Sequence, residues 1–229
     1  MANSNRPDVR GIPMAKTKIA VLISGRGSNM QALVEAAKDE DFPAEIVLVA
    51  SNNPDAAGLE IARAAGIETE VVDHREYDDR EAFEEALDST IKLYGARIVC
   101  LAGFMRILTP WFTERWRDLL INIHPSLLPA FKGLHTHERA LEAGVRIHGC
   151  TVHYVRPEMD DGPIIGQAAV PVLHGDTAET LGERVLHAEH ALYAQCVALA
   201  CSGKARVAGE RVRLQVREFG AELLMNPHD

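Results

Sequence analysis

Asn122 and His124 are the pair in this chain whose types and spacing first suggest chemistry. They close the apolar run Leu119-Leu120-Ile121-Asn122-Ile123-His124, and Pro125 breaks it. Side chains alternate along a strand, so the two point the same way. An amide beside an imidazole suits acyl chemistry. The amide N–H can hold a developing oxyanion, and the imidazole can share or move a proton. These residues alone are read equally well as a strand end whose polar groups satisfy nearby backbone.

Gly25-Arg26-Gly27-Ser28-Asn29 stands where an apolar strand pattern passes into a helical one. Two glycines let backbone N–H groups approach an anion, and a helix start favours negative charge. A dinucleotide fingerprint would want a third Gly where Met30 stands, and an acid where the next strand ends in Ser51-Asn52-Asn53. No Gly-Lys-Ser/Thr follows, so it is no P-loop. The pattern favours a site for one phosphate. The competing reading is a tight turn that caps the helix, with Ser28 and Gln31 spaced as a capping box.

Arg156-Pro157-Glu158-Met159-Asp160-Asp161-Gly162-Pro163 is a carboxylate-rich turn. An Asp set against His124 would favour the charged, donating imidazole. Spacing alone equally describes a solvated acidic turn. His135-Thr136-His137 with His124 could suggest a metal, but no further ligand stands at a fixed distance, and donors to a substrate or a helix start at Thr136 read better. Glu189, beside the apolar face of a long helical stretch, could hold an amine or a hydroxyl, or be an ordinary helix-flank carboxylate. Cys100, Cys150, Cys196 and Cys201 lack Cys-x-x-Cys spacing and read as reduced, buried thiols. Cys150 has a His near in sequence and no other mark of a nucleophile.

The elements that must position these residues follow a clear rhythm. Apolar strand patterns run over 18–24, 45–50, 68–72 and 97–101. Helical patterns run between them over 28–38, 54–65 and 80–93, with Phe83, Ala86, Leu87 and Ile91 forming the apolar stripe of the last. A short helix is expected over 113–118 and another over 136–143. Strands are expected over 149–155 and 164–171, a long helix over 176–202, and a terminal hairpin over 205–214. Strands alternating with helices predict an α/β fold with a mostly parallel, doubly wound sheet flanked by helices. One domain is the simpler organisation. Residues 1–16 read as a disordered N-terminal extension, 17–214 as the domain and 215–229 as a C-terminal tail.

The chain has 229 residues and is 47% hydrophobic but only 5% aromatic, so its core is aliphatic. A net charge of −9 argues against a nucleic-acid or anionic membrane surface. No apolar run is long enough to span a bilayer. Small-molecule substrates and a cytoplasmic location are the expectation, as a monomer or homodimer.

Four motifs together carry a resemblance: Leu22-Ile23-Ser24-Gly25-Arg26-Gly27-Ser28-Asn29, Leu101-Ala102-Gly103-Phe104-Met105-Arg106-Ile107-Leu108, Asn122-Ile123-His124-Pro125-Ser126-Leu127-Leu128-Pro129, and Asp160-Asp161-Gly162-Pro163. From residue 17 to about 214 the chain resembles the glycinamide ribonucleotide formyltransferases, folate-dependent enzymes of purine biosynthesis. The resemblance implies a Rossmann-like formyltransferase fold. It implies 10-formyltetrahydrofolate as formyl-donor co-substrate and no metal. Asn122, His124 and Asp160 match the family's catalytic trio. Arg26, Gly27, Ser28 and Asn29 would hold the ribonucleotide phosphate, and Glu189 would contact the ribonucleotide. Met105, Arg106, Ile107 and Leu108 would line the pterin cleft, Arg80 would face the glutamate tail, and Arg156, Pro157, Glu158, Met159 and Asp160 would form the folate loop, with Asn122 also in contact. The chain departs from the pattern at Leu186, where some relatives are polar, and at Asp161, where Gly is common. A formyltetrahydrofolate hydrolase, a formyltransferase for another amino sugar nucleotide and a non-catalytic phospho-ligand or folate module are the alternatives. The last would have no use for Asn122, His124 and Asp160 together.

Overall fold

The structure, a computed structural model, describes residues 15–216. Most of the expected N-terminal extension and most of the expected C-terminal tail lie outside the described residues. The elements are β1 (Thr17–Ile23), α1 (Ser28–Ala36), β2 (Ala44–Ser51), α2 (Gly58–Ala64), β3 (Thr69–Val71), α3 (Arg80–Leu93), β4 (Ile98–Leu101), α4 (Pro110–Arg115), β5 (Leu120–His124), α5 (Thr136–Glu142), β6 (Ile147–Tyr154), β7 (Ile164–Pro171), α6 (Ala178–Cys201), β8 (Ala205–Ala208) and β9 (Arg211–Leu214). A 3-10 turn, His74–Glu76, precedes α3. Seven strands form one sheet in the order β3-β2-β1-β4-β5-β6-β7, and β8 and β9 pair as a separate ribbon. The first five run parallel. β6 and β7 turn antiparallel. The fold is α/β with a mostly parallel sheet, as the alternating rhythm predicts.

The unbroken apolar pattern of β1 has a direct cause. Ile19, Val21 and Ile23 join one core, with residues of α1, α2, α5 and α6, and Ala20 and Leu22 join a second, with residues of α3 and α4. A strand covered on both faces must be apolar at both parities. Each fully buried Leu or Ile contributes about 1.5–3 kcal/mol relative to exposure. On β5 the same parity rule sends Ile121 and Ile123 to the first core and Leu120 to the second. Asn122 and His124 therefore share Leu120's side of the sheet.

Three local readings are corrected. The helix expected from Pro54 begins at Gly58, because an Asx turn occupies the preceding residues: Asp55 N–H donates to Asn53 Oδ1 at 3.2 Å. The short helix expected over 113–118 runs over Pro110–Arg115. Thr109 caps it, Pro110 opens it, and Asp118 takes a left-handed φ of 61° beyond its end. The Ser28–Gln31 capping box does not form. Gly27 is the N-cap at φ 75° and no side chain caps α1.

Gly27 and Gly58 explain that last difference. A Cβ on Gly27 would lie 3.0 Å from Gly58 Cα, and one on Gly58 would lie 2.6 Å from Ile23 Cδ1 and 3.1 Å from Gly27 Cα. The start of α2 is thus pressed against the turn after β1, and Gly58 N–H donates to the Gly25 carbonyl at 3.0 Å. Two side-chain-free positions facing each other are what the approach requires. Gly58→Ala is expected to destabilise the protein by about 1–3 kcal/mol, the usual cost of overpacking. Chemical denaturation read by far-UV circular dichroism would measure it, and an unchanged midpoint would contradict the close approach.

Candidate functional site

The crevice opens at the carboxyl ends of β1 and β4, where the strand order reverses. One cleft is lined by Ser24, Gly25, Arg26, Gly27, Ser28, Asn29, Ala102, Gly103 and Met105. The uncapped first turn of α1 faces it with unpaired N–H character. Arg26 is exposed and is the charged side chain on its lining. Beneath it, Asn29 Nδ2 donates to Glu189 Oε2 at 2.7 Å, and Asn29 Oδ1 is buried without a hydrogen-bond partner. Burial raises the Glu189 carboxyl above its ordinary value, and the Asn29 hydrogen bond partly opposes the shift.

A second cleft lies beyond the segment after β4. Phe104, Arg106, Ile107, Leu108, Asn122, His153 and the loop from Val155 to Asp160 line it. Residues 103–108 thus border both clefts. Two hydrogen-bond anchors hold this segment. Met105 N–H donates to Ser24 Oγ at 2.7 Å, and Thr109 N–H donates to Glu84 Oε1 at 2.7 Å, with the Thr109 hydroxyl also on Glu84. Glu84 is fully buried on α3, and burial raises its carboxyl. Arg106 Nε is buried and has no acceptor.

The end of β5 supplies the polar groups. Asn122 pairs with His153 across the antiparallel ladder, and the two side chains meet at 3.3 Å, Nδ2 to Nε2. His153 Nδ1 lies 3.1 Å from the Tyr154 carbonyl and donates to it, so its Nε2 accepts from Asn122. Burial lowers the His153 imidazole's affinity for a second proton, which keeps it an acceptor. One amide hydrogen of Asn122 is used here and the other stays available to the cleft. His124, 5% exposed, sets Nδ1 3.3 Å from Asp160 Oδ1 and Nε2 3.1 Å from the Phe131 carbonyl. Both partners are acceptors, so a ring with a proton on each nitrogen satisfies both. Asp160 Oδ2 accepts Gly133 N–H at 2.7 Å.

Asp161 pairs instead with Lys132 at 3.0 Å. Gly162 makes the turn possible, since a Cβ there would lie 2.1 Å from the Tyr154 carbonyl. Asp160 itself takes a φ of 49°. Arg156 lines the cleft, yet its guanidinium is tied to Asp118 at 2.7 Å and to Glu210, on the turn between β8 and β9, at 3.3 Å. Arg80 begins α3, is exposed, and lines neither cleft. Met105 borders the first cleft, with Ser24 to Asn29, not the one that holds Arg106, Ile107 and Leu108. Leu186 is half-buried on α6, one turn before Glu189.

The histidines after β5 do not converge. His135 pairs with Glu138 at 3.6 Å, while His137 Nδ1 meets His148 Nε2 at 3.3 Å. Burial pushes His148 down to about 4. Among the described residues no group of three or more His, Cys, Asp or Glu side chains is arranged to hold a metal ion. The Cys150 thiol is buried and pushed up to about 12 by that burial, the opposite of an activated nucleophile. Sequence reasoning missed Ser24, Asn52, Glu84, His153 and Phe131. Only His153 left a usable signal: antiparallel pairing of the 149–155 strand with β5 would have set it opposite Asn122.

The family described as formyl transferase matches residues 17–197. The phosphoribosylglycinamide formyltransferase of Escherichia coli strain K12 is 46% identical over 189 residues, covering 82% of this chain and 89% of that protein. The trifunctional purine biosynthetic protein adenosine-3 of Bos taurus is 50% identical over 199 residues, covering 87% of this chain. This chain spans about a fifth of that relative's length, 20%. The crystal structure of glycinamide ribonucleotide transformylase 1 from Symbiobacterium toebii aligns with a TM-score of 0.85 at 45% identity, over 87% of this chain and 94% of that one.

The buried Glu189 carboxyl generates a prediction. Its value is raised in the fold, so its contribution to stability is full below the ordinary glutamate value of 4.5 and is lost as pH rises through the folded value. Glu189→Gln keeps an oxygen for Asn29 and carries no charge. Thermal melts should coincide near about pH 4 and diverge in favour of the variant near about pH 8. Parallel melting curves across that range would refute the assignment.

Proposed function

The chain belongs to the formyl transferase family, and on that premise we propose that it transfers the formyl group of 10-formyltetrahydrofolate to the amine of glycinamide ribonucleotide, a step of purine biosynthesis. The observation that carries the reading is the contact of His124, at the end of β5, with Asp160, which lines the second cleft together with Asn122; His124 itself stands just behind that lining. Both substrates are small molecules, and the cytoplasm, where purine precursors are made, is the proposed location.

The first cleft, lined by Ser24 to Asn29, suits the ribonucleotide. The first turn of α1 and Arg26 would take the phosphate. Glu189 and the unpartnered Asn29 Oδ1 would accept hydrogen bonds from hydroxyl or amide groups of the same molecule. The other cleft suits the folate. Its walls mix apolar side chains with backbone groups of the segment after β4, and the unpaired Arg106 Nε would donate to a folate acceptor. Pro157, Glu158 and Met159 would close one side.

Holding both substrates against one wall supplies the orientation term. The glycinamide amine would attack the formyl carbon directly, giving a tetrahedral adduct with an oxyanion. Asn122 would donate its second amide hydrogen to that oxygen while His153 fixes its first. His124 would donate as well, exchanging the Phe131 carbonyl for the oxyanion while Asp160 remains on Nδ1. As the adduct collapses, one proton leaves the attacking nitrogen and one arrives at N10. Asp160, on the cleft wall and against His124, is placed to carry it. Removing one oxyanion donor costs about 10²–10³ in turnover.

The test is a spectrophotometric assay of 10-formyltetrahydrofolate with and without glycinamide ribonucleotide. Deformylation that requires the ribonucleotide and yields formylated product is the expected result. Deformylation without it would make the protein a hydrolase and overturn the reading. In the same assay Asn122→Ala should lose about 10²–10³ in kcat. Asp160→Asn and His124→Ala should each be strongly impaired, and wild-type turnover by either would remove that residue from the mechanism.

A further inference from the structure

Asn52 lies outside both clefts and is nevertheless tied to the wall they share. It is 5% exposed, at the carboxyl end of β2. Its Oδ1 accepts the Ser24 hydroxyl hydrogen at 2.5 Å. A hydroxyl has one hydrogen to give, so that bond fixes the direction of the oxygen's lone pairs. One of them accepts Met105 N–H at 2.7 Å. Ser24 N–H in turn donates to the Gly103 carbonyl at 3.1 Å, so Ser24 grips the wall at two backbone atoms. The other side of Asn52 is closed by His74, whose Nδ1 lies 3.0 Å from the Asn52 carbonyl and 3.2 Å from its Nδ2. The His74 ring stands edge-on to Phe83 of α3 at 6.3 Å.

We propose that Asn52 is a positioning residue for both substrates. By orienting the Ser24 hydroxyl it holds the Met105 amide, and through that amide it sets the backbone that borders the ribonucleotide cleft on one side and the folate cleft on the other. The proposal rests on the assignment of the two clefts above. The far end of the wall is held separately by Glu84 on Thr109. The segment therefore cannot shift as a unit when Asn52 lets go. It bends between its anchors, and the residues that bend, Met105 to Leu108, are those facing the substrates.

Asn52→Ala removes the acceptor, Asn52→Asp keeps an oxygen in its place, and Ser24→Ala removes the bond to Met105 outright. Amide hydrogen exchange of the ligand-free protein reads the anchor directly. Met105 N–H should exchange about tenfold or more faster in Asn52→Ala and Ser24→Ala, the loss expected for one hydrogen bond, and close to wild type in Asn52→Asp. Steady-state kinetics should show kcat lowered about tenfold, with KM raised for both substrates in Asn52→Ala and largely restored in Asn52→Asp. Unchanged exchange at Met105 overturns the proposal. So does a rise in only one KM, or an Asn52→Asp enzyme as impaired as Asn52→Ala. If Asn52→Ala does not fold, Ser24→Ala and Asn52→Asp carry the same comparison. The exchange measurement needs no substrate, so an error in the substrate assignment would show in the wild-type assay and leave the exchange result intact.

Discussion

The constraint on which this structure depends is the reversal of strand order at β1. β2 lies on one side of it and β4 on the other, and all three run parallel. The chain leaving β1 goes to the face of α1, while the chain leaving β4 goes to the face of α4, so the two connections part at the carboxyl edge. A crevice opens there with backbone exposed on both walls. Gly27 and Gly58 deepen the effect by letting the turn after β1 be held from behind by the start of α2. The apolar interior of β1 is the other half of the same constraint. Covered on both faces, β1 buries every residue from Ile19 to Ile23 and leaves its chemistry to the loop at its end.

Three buried polar groups hold the crevice in shape. Glu84, Asn52 and Glu189 are each almost inaccessible to water, and each has a named partner: Thr109, Ser24 and Asn29. A buried carboxylate is costly, and both glutamates are raised by that burial. Such groups are retained where they restrict conformation, and here each one restrains a segment that lines a cleft. Ion pairs at the surface, such as Lys38 with Glu35, contribute little by comparison.

The switch from parallel to antiparallel pairing at β6 completes the site. It sets His153 directly across from Asn122 and Thr151 across from His124. Thr151 Oγ1 donates to the Ser126 carbonyl at 2.7 Å and accepts Leu128 N–H at 3.0 Å, fixing the turn that follows His124. The chain then doubles back at Gly162 against the Tyr154 carbonyl, and Asp160 is carried to the His124 ring. The imidazole is enclosed by two loops from different parts of the chain, which gives it fixed partners on both nitrogens.

The sequence by itself determined the α/β class, the order of the elements, the glycine turn at Gly25 to Asn29 between a strand and a helix, and the Asn-x-His strand end. Each of these is a local pattern: the period of apolar residues, a glycine spacing, an alternation along one strand. It also brought Asp160 forward as a partner for His124, but only through resemblance, since spacing could not show that a turn 36 residues away comes back to it. Tertiary structure alone decided that Asp160 and not Asp161 faces the ring, that Arg156 is tied up by Asp118 and Glu210, and that Arg80 stands outside both clefts. It alone placed His153, Asn52 and Glu84 behind the site. Their roles depend on which strands are neighbours and on where each hydrogen bond finds its partner, and those are properties of long-range packing that no local pattern encodes.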